Sequence, residues 1–179
     1  MRKENEVSYL CPECFKDTGI KIKKWPEIVF NKMNDLDISK STVENIDTVT
    51  DGWVEIYGKC SCGYEGQFID IDNEFVDIIQ YLNNNGYRTT VCCSGHKIDP
   101  NNYDYPYLIF ISDWDDRTYL EMINKLPESW EIFRTTLSKP LHYTYNSEVR
   151  LYCRNPLKYK ETYMNDLREY IYEYFPKMN

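Results

Sequence analysis

Hydrophobic and polar positions change their period twice along this chain. Residues 53–70, WVEIYGKCSCGYEGQFID, read as two short runs of mixed apolar and polar residues on either side of Cys-Ser-Cys-Gly, and residues 8–20, SYLCPECFKDTGI, place Cys-Pro-Glu-Cys after another such run. Period-two alternation sends successive side chains to opposite faces of a strand. Both segments therefore predict β-ribbon closed by a cysteine turn. Between them, KIKKWPEIVF reads as a strand interrupted by Pro26, and NKMNDLDISKSTVENIDTVT has little periodicity. The polar residues 34–50 are accordingly expected to form an inserted loop.

From residue 73 the spacing becomes helical. NEFVDIIQYLNNNG carries Phe75, Ile78, Ile79 and Leu82 on one side, with Asn73 as a candidate cap and Gly86 just past the end. A strand YRTTVC, the loop CSGHKIDPNNYDYP and a strand YLIFISD follow. Next comes a helix from Arg117 to Leu126, capped by Asp115 or Asp116 and closed by Pro127. A second round repeats the order: strands WEIFRTT and EVRLYCR, then a helix within PLKYKETYMNDLREYIYEYF that aligns Tyr163, Leu167, Tyr170, Ile171 and Tyr174. The expected fold class is α+β. A small zinc ribbon occupies residues 1–71, and residues 72–179 form a four-stranded antiparallel or mixed sheet with helices packed on one face. The tyrosines of the last helix read as core, with a homodimer through that aromatic helix as the further reading.

Composition agrees with a folded chain: 42% hydrophobic and 28% charged residues over 179 positions, with 17 tyrosines supplying much of the apolar mass. The net charge of -8 opposes non-specific attraction to nucleic acid or anionic membrane, so any anion site must be local. No apolar run approaches the roughly 18 residues of a membrane span, and MRKENEV leads into no signal-peptide core. A cytoplasmic location is the expectation.

The seven cysteines fall into knuckle-like groups rather than a secreted disulfide pattern. Cys11, Cys14, Cys60 and Cys62 are the expected zinc ligands: two tight turns each offer a pair of soft thiolates, and four thiolates fill a tetrahedral shell. With no open position for a water nucleophile, one structural zinc ion per chain is expected. Small modules with little core commonly depend on such an ion for folding.

The segment TTVCCSGH, residues 89–96, is the second chemical signal. Alternation separates Cys92 from Cys93. The turn of Cys93, Ser94, Gly95 and His96 then offers backbone amides, a hydroxyl and a titratable ring to an anion. A ligand-binding turn, with Arg88 and Asp113 as further contacts, is one reading. A catalytic reading makes Cys93 a nucleophile or His96 a general acid/base. A third gathers Cys93, His96, His142 and Cys153 around a second metal, and a fourth is an ordinary packed turn. Arg88, Arg134, Arg150 and Arg154 lie on predicted strands or at their ends and could partner anions or surface acids. In SDWDD, Asp113 is a candidate base or ribose ligand, while helix capping accounts for its neighbours.

The segment GYRTTVCCSGHKI followed by YLIFIS resembles the Ser-Gly loop of the tRNA wybutosine-synthesising methyltransferase family. It also resembles small phage-type proteins that carry Cys-Ser-Gly-His after a helix and strand. The likeness spans residues 77–112. It implies a sheet domain with the loop at a ligand site, for a nucleotide-like molecule such as S-adenosylmethionine or for RNA. His96 stands where the family has arginine. The leading functional expectation is a zinc-binding protein that holds a small anionic or nucleotide-like ligand, or a short RNA element, at Cys93–His96. An enzyme acting on RNA or a nucleotide, and a protein-interaction scaffold, are the alternatives.

Overall fold

The structure, a computed structural model, describes residues 5–24, 36–37, 44–50, 54–95, 97–99, 102–103, 105–136, 147–154 and 159–177. The chain divides into two compact units, Met1–Val76 and Asp77–Asn179.

The first unit contains β1 (Asn5–Leu10), β2 (Asp17–Lys24), β3 (Leu36–Asp37), β4 (Glu44–Thr50), β5 (Val54–Lys59), β6 (Glu65–Gln67) and β7 (Ile69–Asp72). These form two antiparallel sheets, ordered β3-β2-β1-β7 and β4-β5-β6. The central strand β1 is buried on both faces from Val7 to Leu10. The buried Ser8 hydroxyl donates to Asn73 Oδ1 at 2.8 Å, and the buried Thr18 Oγ1 donates to the Tyr9 carbonyl at 2.7 Å, so burial leaves neither hydroxyl unsatisfied. Val7, Tyr9, Ile20, Ile56 and Phe68 make a small core that also includes Cys11 and Cys60.

Two expectations are corrected here. Residues 44–50 are a strand rather than part of a loop, paired with β5 from Glu44↔Lys59 to Thr50↔Val54. The β-branched residues Ile46, Thr48, Val49 and Thr50 carry the strand preference that the polar composition hid. Asn73 opens a 3-10 turn (Asn73–Phe75) whose N-cap is Asp72, and its side chain binds Ser8 instead of capping a helix. Pro26, Trp25 and the remainder of KIKKWPEIVF beyond Lys24 lie outside the described residues.

The second unit contains α1 (Val76–Asn84), β8 (Arg88–Cys93), a short antiparallel pair β9 (Lys97–Asp99) and β10 (Asn102–Tyr103), β11 (Tyr107–Ser112), α2 (Asp116–Lys125), β12 (Trp130–Thr136), β13 (Ser147–Cys153) and α3 (Lys160–Tyr174). Helix α1 begins one residue before the unit boundary. The main sheet is antiparallel throughout, ordered β12-β13-β11-β8. Leu108, Phe110, Val149 and Leu151 are fully buried on the face that carries the helices. Trp130 Nε1 donates to the Tyr163 carbonyl at 2.9 Å and Tyr170 Oη to the Met122 carbonyl at 2.9 Å, tying α3 to β12 and to α2. Asp115 caps α2 by accepting from the Thr118 amide at 2.7 Å. An α+β fold with helices on one face of a four-stranded sheet is thus what the chain forms. Among the described residues, no helix is long and apolar enough to cross a membrane.

Candidate functional site

The first unit's chemistry lies where two turns meet. Strand β1 runs buried into Cys11; the Phe15 amide donates to the Cys11 carbonyl at 2.9 Å, and the Cys11 amide to the Lys16 carbonyl at 3.1 Å. Phe15 has φ 54, a left-handed conformation that costs a non-glycine residue about 1–2 kcal/mol. The second turn is closed by Gly63 N–H to the Cys60 carbonyl at 2.9 Å and Cys60 N–H to the Tyr64 carbonyl at 2.8 Å. Gly63, at φ 98, reverses the chain directly after the Cys60-Ser61-Cys62 spacing.

These turns gather the Sγ atoms of Cys11, Cys14, Cys60 and Cys62 within 4.8 Å of one another. Cys11 and Cys62 sulfurs are 3.6 Å apart, and those of Cys14 and Cys60 are 3.7 Å apart. A tetrahedral ion about 2.3 Å from each sulfur requires sulfur–sulfur separations of about 3.8 Å, so the cage has the right size for a tetrathiolate metal. All four are free thiols, and they are the one such ligand cluster among the described residues.

Backbone amides complete the environment. Those of Glu13 and Cys14 reach the Cys11 sulfur, that of Lys16 reaches Cys14, and that of Cys62 reaches Cys60. Burial pushes the Cys11 thiol up to about 12 despite its amide donors, and burial also raises Cys14. At Cys60 burial again acts upward, but the Cys62 amide and the neighbouring thiols outweigh it and bring the group down to about 7. The Cys60 thiolate is thus favoured beside two thiols, Cys11 and Cys14, that burial keeps protonated, and a cation that displaces those protons removes the conflict. Lys16 Nζ donates to Ser61 Oγ at 3.4 Å, placing a positive charge by the second turn. Cys11 and Cys60 are buried while Cys62 is exposed, so the centre belongs to the core and opens to solvent on one side.

In the second unit, strand pairing sets Cys92 opposite Leu108 and Cys93 opposite Tyr107, on different faces of the sheet. Ser94 and Gly95 follow, both buried, with Gly95 at φ 80 and its amide 3.4 Å from Cys93 Sγ. Lys160, the first residue of α3, donates from Nζ to Ser94 Oγ at 2.8 Å. This lysine was not among the residues the sequence singled out. His96 and His142 lie outside the described residues. Arg88 is at the far end of β8 from the turn, opposite Ile111, and Asp113 follows the same end of β11. Neither is brought to Ser94. Cys153 is buried on the helix-covered face, opposite Trp130, whereas Cys93 lies on the other face.

The four arginines divide by face. Arg134 binds the Trp114 carbonyl and Asp116 and lies 4.5 Å over the Tyr119 ring. Arg150 pairs with Glu148 at 2.6 Å and Arg154 with Glu131 at 2.7 Å, on the opposite face.

Fold and site together define a unit with a four-thiol cluster of the size to hold a metal ion, and an α+β unit with one helix-covered sheet face. No protein-family model, curated protein or solved structure matches the chain.

Proposed function

We propose that this is a zinc-binding protein whose tetrathiolate centre holds the first unit together, and whose second unit binds a small anionic or nucleotide-like ligand at the turn beginning with Cys93, Ser94 and Gly95. Zinc suits a four-sulfur cage without requiring redox chemistry or an open coordination position. The observation that carries the ligand reading is the 2.8 Å bond from Lys160 Nζ to Ser94 Oγ, which places an ammonium at this turn in a chain of net charge -8. The positive φ of Gly95 turns the backbone at the same place, and Lys160 stands in the first turn of a 15-residue helix, where exposed amides and the helix dipole favour an anion. The Cys-Ser-Gly-His resemblance points to the same turn. The ligand displaces or bridges the Ser94–Lys160 bond.

Thermal unfolding of the zinc-loaded protein with inorganic phosphate, nucleoside mono- and triphosphates and S-adenosylmethionine tests the reading. A ligand at 100 times its Kd adds about 2.7 kcal/mol of stability. Lys160→Gln should abolish that shift while preserving the unliganded fold. No shift with any of these compounds, or a shift unchanged in Lys160→Gln, refutes the anion turn.

A further inference from the structure

We propose that the face of the four-stranded sheet opposite the helices binds single-stranded nucleic acid, with bases stacking on Tyr107, Tyr152 and Phe133. The pairing of β11 with β13 sets Tyr107 directly opposite Tyr152, and that of β13 with β12 sets Phe133 opposite Arg150, two residue pairs along from Tyr152 and on the same face. Their rings form a chain across three strands: 5.8 Å between the Tyr107 and Tyr152 centroids and 6.1 Å between Tyr152 and Phe133. Phe133 is 50% exposed, so its ring is not consumed by the core. Rings on adjacent strands of an open antiparallel sheet can each take the face of a base, and such stacking tolerates any sequence.

Charge on this face opposes a polyanion less than the chain as a whole does. Alternation and pairing place Arg88, Arg150 and Arg154 on this face with Glu131, Glu148 and Asp113, so cations and anions balance on one surface of a chain whose overall charge is -8. Arg150 also hydrogen-bonds the Tyr152 hydroxyl, which puts a guanidinium beside the ring row. A second copy of the chain fits less well. Sheet-on-sheet packing would desolvate the Arg150–Glu148 pair, whose side chains are 43% and 25% exposed, for little net gain. A strand of bases leaves those groups in water at the rim of each stack. The inference is independent of the Ser94–Lys160 turn, which involves none of these rings.

The test is fluorescence anisotropy of labelled oligouridylate and oligodeoxythymidylate with full-length, metal-loaded protein. Both strands should bind, and Phe133→Ala and Tyr152→Ala should each weaken binding about tenfold or more. Leu120→Ala, which alters an exposed residue of α2, should leave it unchanged. Three arginines on this face set the upper limit of phosphate contacts, and Arg150 and Arg154 must exchange Glu148 and Glu131 for phosphate, so the log–log salt slope should be no steeper than about -2. Phe133 is half exposed, so its truncation keeps the fold, which an unchanged melting curve verifies. A preference for one strand type would still support the proposal and would show whether the 2′-hydroxyl is read. No binding of either strand, binding unaffected by loss of the two rings, or a dimer in sedimentation that Phe133→Ala dissociates would overturn it.

Discussion

Gly63 and Gly66 flank Tyr64 beside the four-thiol cluster; both take a positive φ, and only Gly66 also has a close side-chain neighbour. A Cβ on Gly63 would meet nothing within 4 Å, so only its φ of +98 opposes substitution. Gly63→Ala should therefore cost about 1–2 kcal/mol in chemical denaturation. At Gly66 a Cβ would stand 2.7 Å from the Tyr64 hydroxyl, which donates to the Gln67 carbonyl at 2.8 Å. Gly66→Ala should cost more than Gly63→Ala, and Tyr64→Phe should recover part of the difference. Equal losses in the two glycine variants would contradict this account. The metal-site cysteines were readable because turn spacing is local information. Lys160 was not, since 66 residues separate it from Ser94 and no pattern in either segment points to the other.

Between elements, the clearest clamp joins α1 to α3. Arg168 Nε donates to Asp77 Oδ2 at 2.5 Å, and the Tyr172 hydroxyl donates to the same oxygen at 2.9 Å. Burial acts to raise the Asp77 carboxyl, but the Arg168 and Tyr172 bonds dominate and hold it below the ordinary 3.8. A depressed folded-state value means that the carboxylate stabilises the protein above its unfolded value. That contribution disappears as pH falls through the lower folded value. Asp77→Asn should thus lower the melting temperature at neutral pH, by the equivalent of about 1 kcal/mol once the partial exposure of the pair is allowed for. The gap between wild type and variant should narrow as pH falls below the ordinary carboxyl value and close once it has passed through the lower folded one. A gap independent of pH would show that the bond geometry, not the charge, matters. Helix α2 was legible to its cap because Asp115 and Thr118 are neighbours. Strand β4 was missed because its hydrogen-bond partners come from β5, and the polar residues around Ile46, Thr48, Val49 and Thr50 masked their strand preference.

At the scale of the molecule, the first unit has a core of few residues, two of which are the metal-site cysteines Cys11 and Cys60. Metal analysis should find about one zinc per chain, and Cys60→Ala should reduce it to a small fraction. Chelation should lower the melting midpoint seen by circular dichroism, with recovery on adding one equivalent of Zn²⁺. Since binding displaces protons from the thiols, the apparent zinc affinity should fall as pH is lowered. A metal-free protein with an unchanged midpoint would sink the structural role. By itself the sequence determined the α+β class, the Asp115 cap that depends on a near neighbour and the four thiols in their turns, all features carried by period, spacing and residue type. Only tertiary structure decided that β4 is a strand, that Lys160 meets Ser94, that Arg88 and Asp113 lie at the opposite end from that turn, and that three aromatic rings line the face without helices. Each of these depends on strand pairing or helix placement, and so on contacts between residues too distant in the chain for local pattern to connect them.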